Sequence, residues 1–227
     1  MNLVPFLRTV ALAGCGLVFS AQVFAAASTT YSFVGVGDPA ANSASVATGV
    51  ASLFVEVIDS GSNQVAFKFT NTSSSSLTDV YFDDGALLGI SSISDSGAAV
   101  SFSQGAKPAN LPGGNNLNPD FKTTEGFSAD SNAPKTSENG VTSGEWLKII
   151  FDLKSGKNYQ SVIDALALPN GGGPGDLRIG LHVQSFTDGG SASFVNVATP
   201  IPEAKTYAMM LAGLGLIGFM VSRRRSF

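Results

Sequence analysis

The sequence predicts a mainly β protein: a single β-sandwich or jelly-roll-like domain with one short helix, flanked by an N-terminal signal peptide and a C-terminal transmembrane helix. Three observations carry this. Apolar and polar residues alternate at period two in several short runs, the pattern of half-buried strands. Clusters of Gly, Asp, Asn and Ser separate the runs, which is turn chemistry. Long apolar stretches stand at the two ends of the chain, outside this pattern. The expected division is 1–27 for the signal peptide, 28–199 for the body, and 200–227 for a tail whose membrane helix spans 207–222.

In residues 1–27, Arg8 supplies a positive start, Val10 to Phe24 is largely apolar, and Ala25, Ala26 and Ala27 offer small residues for cleavage. Cleavage is expected after Ala25 or Ala27. Leu12-Ala13-Gly14-Cys15 also has the form of a lipobox, in which Cys15 would be acylated. The apolar run continues for nine residues past Cys15, whereas a lipobox normally ends it, so Cys15 is read as part of the apolar segment.

In the body, Val65, Phe67 and Phe69 alternate with Ala66, Lys68 and Thr70. Leu147, Ile149, Phe151 and Leu153 alternate with Lys148, Ile150 and Asp152, and Ile179, Leu181 and Val183 with Gly180, His182 and Gln184. Less regular strands are expected over 31–36, 47–58, 77–82, 87–93, 99–103 and 193–197. About nine short strands with such turns suit a sandwich or jelly roll. The one helix is expected to start at Ser161, with Asp164 at its third position, and to stop at Pro169 and the run Gly171-Gly172-Gly173-Pro174-Gly175. Residues 104–144 form a long loop rich in Pro, Gly, Asn and Ser, which Phe121 and Phe127 are expected to pin.

The chemistry is sparse. Only 13% of residues are charged, and the chain has one His, one Trp and one Cys. A single Cys allows no disulfide within the chain. Residues 28–199 hold 16 acidic and 8 basic residues, a net of −8, which disfavours nucleic acid as a partner. His182 could act as a general base or metal ligand, but no second His and no Cys in the body completes a metal set, so it is read as part of a solvated polar face. No G-x-S-x-G elbow is present. Asp83-Asp84-Gly85 and Asp188-Gly189-Gly190 could offer oxygen ligands to calcium, yet Asp-Gly is also ordinary turn chemistry. Trp146, Tyr81 and Tyr159 could stack on sugars, with strand packing as the plainer reading. Trp146 has the parity opposite to Leu147, so a ligand contact there requires that face to be exposed. Asn71-Thr72-Ser73 has the form of a glycosylation sequon and is read as a strand-end loop. No catalytic residue, metal ligand or cofactor is assigned, and the body is expected not to be an enzyme.

The tail carries the most specific pattern. Pro200, Pro202 and Glu203 precede fourteen consecutive apolar residues, Ala208 to Val221, and then Arg223, Arg224 and Arg225. Fourteen helical residues reach ~21 Å, against ~30 Å of hydrocarbon, a gap that bilayer thinning and snorkelling arginines can close. The arginines place their end in the cytoplasm.

Pro202-Glu203, the short spacer, the Leu/Ala/Gly-rich span and the Arg cluster resemble the PEP-CTERM sorting signal of exported proteins of Gram-negative bacteria. The family's second core proline is Ala204 here. The resemblance implies recognition at Pro202 and Glu203 by an exosortase-type membrane peptidase. It implies transient anchorage in the inner membrane, followed by delivery to the cell surface or outside it. It further implies an exopolysaccharide or biofilm-matrix setting. The stretch Phe69–Asp84 is loosely similar to strand-turn-strand segments of such proteins.

Overall fold

The computed structural model describes residues 26–37, 42–97, 99–168, 176–202, 211–217 and 220. Ten strands form one antiparallel sheet that folds over on itself. In chain order they are β1 (Ser28–Gly35), β2 (Leu53–Gly61), β3 (Gln64–Asn71), β4 (Ser76–Asp84), β5 (Leu87–Asp95), β6 (Phe102–Gln104), β7 (Ser128–Ser131), β8 (Trp146–Leu153), β9 (Leu177–Gln184) and β10 (Ala192–Asn196). The spatial order is β5-β8-β3-β2-β1-β10-β9-β4-β7-β6.

The first strand makes the fold. Ser28 to Ser32 of β1 pair with β2, and Phe33 to Gly35 pair with β10. β1 therefore belongs to two layers, β5-β8-β3-β2-β1 and β1-β10-β9-β4-β7-β6. The layers face each other through the period-two residues. Phe82 of β4 meets Phe67 of β3 and Phe151 of β8 with ring centroids 4.9 and 4.7 Å apart, both edge-on, the arrangement aromatic quadrupoles favour. The outermost strands, β5 and β6, approach one another, so the sheet curls toward closure. The expected mainly β class is present, and the three regular alternating runs are β3, β8 and β9.

Three expectations need correction. Among its described residues the body, 28–199, has three short α-helices, α1 (Ser43–Ser52), α2 (Thr136–Asn139) and α3 (Tyr159–Leu166), where one was expected. The segment expected as a strand over 47–58 is helical up to Ser52. Its small residues let α1 press against the sheet: a Cβ on Gly49 would lie 2.1 Å from Cζ of Phe194. α3 starts earlier than expected. Asn158 is the cap, its side chain accepting from the Ser161 amide at 3.0 Å, while Ser161 Oγ accepts from the Asn158 amide. Ser161 is thus the third helical residue of a capping box, and Asp164 instead accepts from Gln160.

The loop 104–144 is not structureless. It contains a 3₁₀ turn (Gly114–Asn116), β7 and α2. Its first part lies on the outer face of the second layer as far as Phe121, while Phe127 turns into the core between the layers, its ring centroid 5.2 Å from that of Phe151. On the outer face Ala106, Leu111 and Phe121 form a second apolar cluster with Tyr81 and Val195. Gly180 makes this possible, since a Cβ there would be 2.9 Å from Leu111. Phe121 and Phe127 are both buried, as expected of the pinning residues.

Residues 1–25, including Ala25 and Cys15, lie outside the described residues, as do Glu203 and Arg223–Arg225. Residues 211–217 are helical, and Leu211, Leu214, Leu216 and Ile217 are exposed. Among the described residues, no helix is long and apolar enough to cross a membrane.

Candidate functional site

The tail leaves the body at a definite point. After β10, the Val197 amide donates to Ser32 O at 2.9 Å and the Ile201 amide to Thr30 O at 2.7 Å. Ile201 thereby forms an isolated antiparallel bridge to β1, on the part of that strand that β10 does not reach. Pro202, expected to carry recognition, follows directly and is exposed. At the other end of the body, Ala27 O accepts from the Asp59 amide at 2.8 Å. Ala27, one of the two expected cleavage positions, is therefore already bonded to the sheet.

His182 is not on an open polar face, which corrects that expectation. Its side chain is 14% exposed, and Nδ1 lies 3.0 Å from Oδ2 of Asp79, itself 3% exposed. Cross-strand register creates the pair: Asp79 of β4 stands between Asp130 of β7 and His182 of β9, and Ser193 of β10 follows His182 in the same row. Thr78 Oγ1 also donates to Asp79 Oδ2, at 2.8 Å. Asp79 Oδ1 is buried and accepts no hydrogen bond in this geometry. Burial first, then the charge of Asp79 and hydrogen bonding to it, raise the Asp130 carboxyl to about 6, against a smaller opposing effect of Lys107. Burial and the same two carboxylates hold the Tyr81 phenol well above its ordinary range.

The row Asp79–His182–Ser193 has the residue types of a hydrolytic triad. No hydrogen bond joins Ser193 to His182. The geometry does support a structural role, tying three strands under the cover formed by 105–127. No local pattern around Asp79 or Asp130 announces this row, because it is created by pairing of segments far apart in the chain.

The two Asp-Gly stretches are engaged within the protein. Asp83 accepts from Nε of its cross-strand partner Arg178 at 3.0 Å. Arg178 also donates to Pro119 O and Asp120 O and stands 5.1 Å from the Phe121 ring centroid, so it fastens the 105–127 segment to β9. Asp188 accepts from Ser45 Oγ of α1 at 2.7 and 2.8 Å. That bond first, then the Gly190 amide, hold its carboxyl below the usual range. Among the described residues no cluster of three or more His, Cys, Asp or Glu could hold a metal ion.

The aromatic candidates separate. Tyr81 is fully buried in the second apolar cluster, which removes it as a sugar-stacking residue. Tyr159 is hydrogen-bonded to Thr29 at 2.7 Å. Asn71, first residue of the sequon, is buried, its amide donating to Ser75 O and Val141 O. β3 ends there and β4 starts at Ser76 in the other layer, so Phe69–Asp84 bridges the layers. Trp146 is partly exposed on the outer face of β8, opposite Leu147, as its parity requires. Lys68 and Lys148 each place Nζ 5.8 Å from its ring centroid.

No curated protein and no solved structure matches this chain. The family model described as the PEP-CTERM protein-sorting motif matches residues 200–225. The match starts at Pro200, next to the last backbone bond between Ile201 and the sheet. The segment that begins at this junction carries the PEP-CTERM protein-sorting motif.

Proposed function

We propose that this is an exported protein, held in the inner membrane by its tail, processed by an exosortase-type peptidase, and delivered to the cell surface or the extracellular matrix. The observation that carries the reading is the sorting-motif match over 200–225. Residues 1–27 direct export with cleavage after Ala25 or Ala27. The bond from Asp59 to Ala27 O favours Ala25, since a cut there leaves that carbonyl in an intact peptide. The span 207–222 inserts in the bilayer, Arg223, Arg224 and Arg225 hold its end in the cytoplasm, and Pro202 and Glu203 are read by the peptidase. The β body is a structural or interaction module that performs no catalysis, in an envelope or exopolysaccharide setting.

The test is the intact mass of the surface fraction from cells with and without the peptidase. Loss of residues after Glu203 only when the peptidase is present is the expected result. A C-terminus at Phe227 in both strains would overturn the processing step.

A further inference from the structure

The outer face of the first layer sets two like charges opposite one another. Lys68 on β3 and Lys148 on β8 are direct cross-strand partners. Both point away from the core, because their neighbours Phe67, Phe69, Leu147 and Ile149 are buried. Two ammonium groups set opposite one another repel and destabilise the pairing. Residues 28–199 contain only 8 basic residues against 16 acidic ones, so crowding of positive charge does not account for the encounter. Glu56 lies beyond Lys68 in the same row and Ser94 beyond Lys148. Neither lysine forms an ion pair with a described carboxylate.

The Trp146 ring completes the group, 5.8 Å from each ammonium. Its row continues through Thr70 to Phe54. Among the described residues this face has no second apolar cluster, unlike the opposite face under 105–127.

We propose that Trp146, Lys68 and Lys148 form a binding site for an acidic glycan carrying uronic-acid carboxylates. The C–H face of a pyranose ring is apolar and suits an indole. A carboxylate on the same sugar reaches the paired ammoniums through charge-assisted hydrogen bonds and removes their mutual repulsion. One ligand thus accounts for the aromatic ring and for the opposed charges. A denser polyanion such as nucleic acid meets the net charge of −8 over 28–199. The site deepens the surface-display reading by naming a ligand class, and rests on that reading only for where such a glycan is met.

The experiment titrates the full chain in detergent micelles with oligogalacturonate, its methyl ester and an oligothymidylate. Oligogalacturonate is expected to bind about ten-fold tighter than the ester, and the oligothymidylate more weakly than oligogalacturonate. The double variant Lys68→Gln, Lys148→Gln is expected to lose about ten-fold in uronate affinity and, without ligand, to melt above the parent protein. Trp146→Ala loses affinity for acid and ester alike. No binding of oligogalacturonate, equal binding of acid and ester, an oligothymidylate that binds as tightly, or a double variant with unchanged affinity would overturn the site. The C-terminal mass is read on separate samples, so failure here leaves the sorting reading standing, and failure of sorting leaves the titration intact.

Discussion

The Ile201 amide donates to the Thr30 carbonyl at 2.7 Å, so the sorting motif begins as part of the sheet. Pro200 and Pro202 flank that amide and have no N–H, so neither extends the ladder along β1. The tail is placed precisely at this point yet held weakly there, since one backbone bond is worth roughly 1 kcal/mol net.

Ile201→Pro deletes that donor. The detached state then gains roughly 1 kcal/mol, and cleavage at Glu203 by a glutamyl endopeptidase should accelerate about five-fold if opening is fast compared with cutting. The rate is measured on full chain in micelles. An unchanged rate would show that the bond does not hold the segment.

Phe82 is where the two layers meet, touching Phe67, Phe69 and Phe151. Phe82→Ala should cost about 3–5 kcal/mol in denaturant unfolding, and Phe82→Leu clearly less, because the residual cavity is smaller.

Arg178→Met keeps an apolar stem beside Phe121 but leaves the Asp83 carboxylate, 11% exposed, without its cation. A loss of about 3 kcal/mol is expected from that uncompensated charge. Amide exchange should rise selectively over 117–122, with the core of β9 still slow. Uniform acceleration across the sheet would contradict the fastening role.

Asp130 titrates near 6 in the folded protein, above the ordinary 3.8. The folded state therefore holds this proton more tightly than the unfolded one, so its stabilising contribution is complete below pH 4 and is lost as pH rises through 6. Asp130→Asn should unfold at higher temperature than the parent above pH 6, by about 1 kcal/mol after allowing for partial solvation. The difference should vanish below pH 4. A constant offset across the range would remove proton uptake as its cause.

Much of the architecture could be read locally. In β3, β8 and β9 each residue's face follows from parity, which sets Lys68, Trp146 and Lys148 on the face opposite Phe67, Phe69 and Leu147. α1 was missed because Ser, Ala, Thr and Gly have no strong period. Its position is set by contact with Phe194 on a distant strand. β7, reading Ser-Ala-Asp-Ser, has no apolar alternation and is a strand because β4 and β6 offer it hydrogen-bonding partners.

By itself the sequence determined the β class, the alternating faces and the sorting tail, because each is written in the order of neighbouring residues. Only the tertiary structure decided that His182 meets Asp79, that Arg178 fastens a loop 58 residues away at Asp120, that two lysines oppose one another beside Trp146, and that the tail departs from Thr30. Those relations depend on which strands pair and in what register, and register is set by burying the whole apolar face at once.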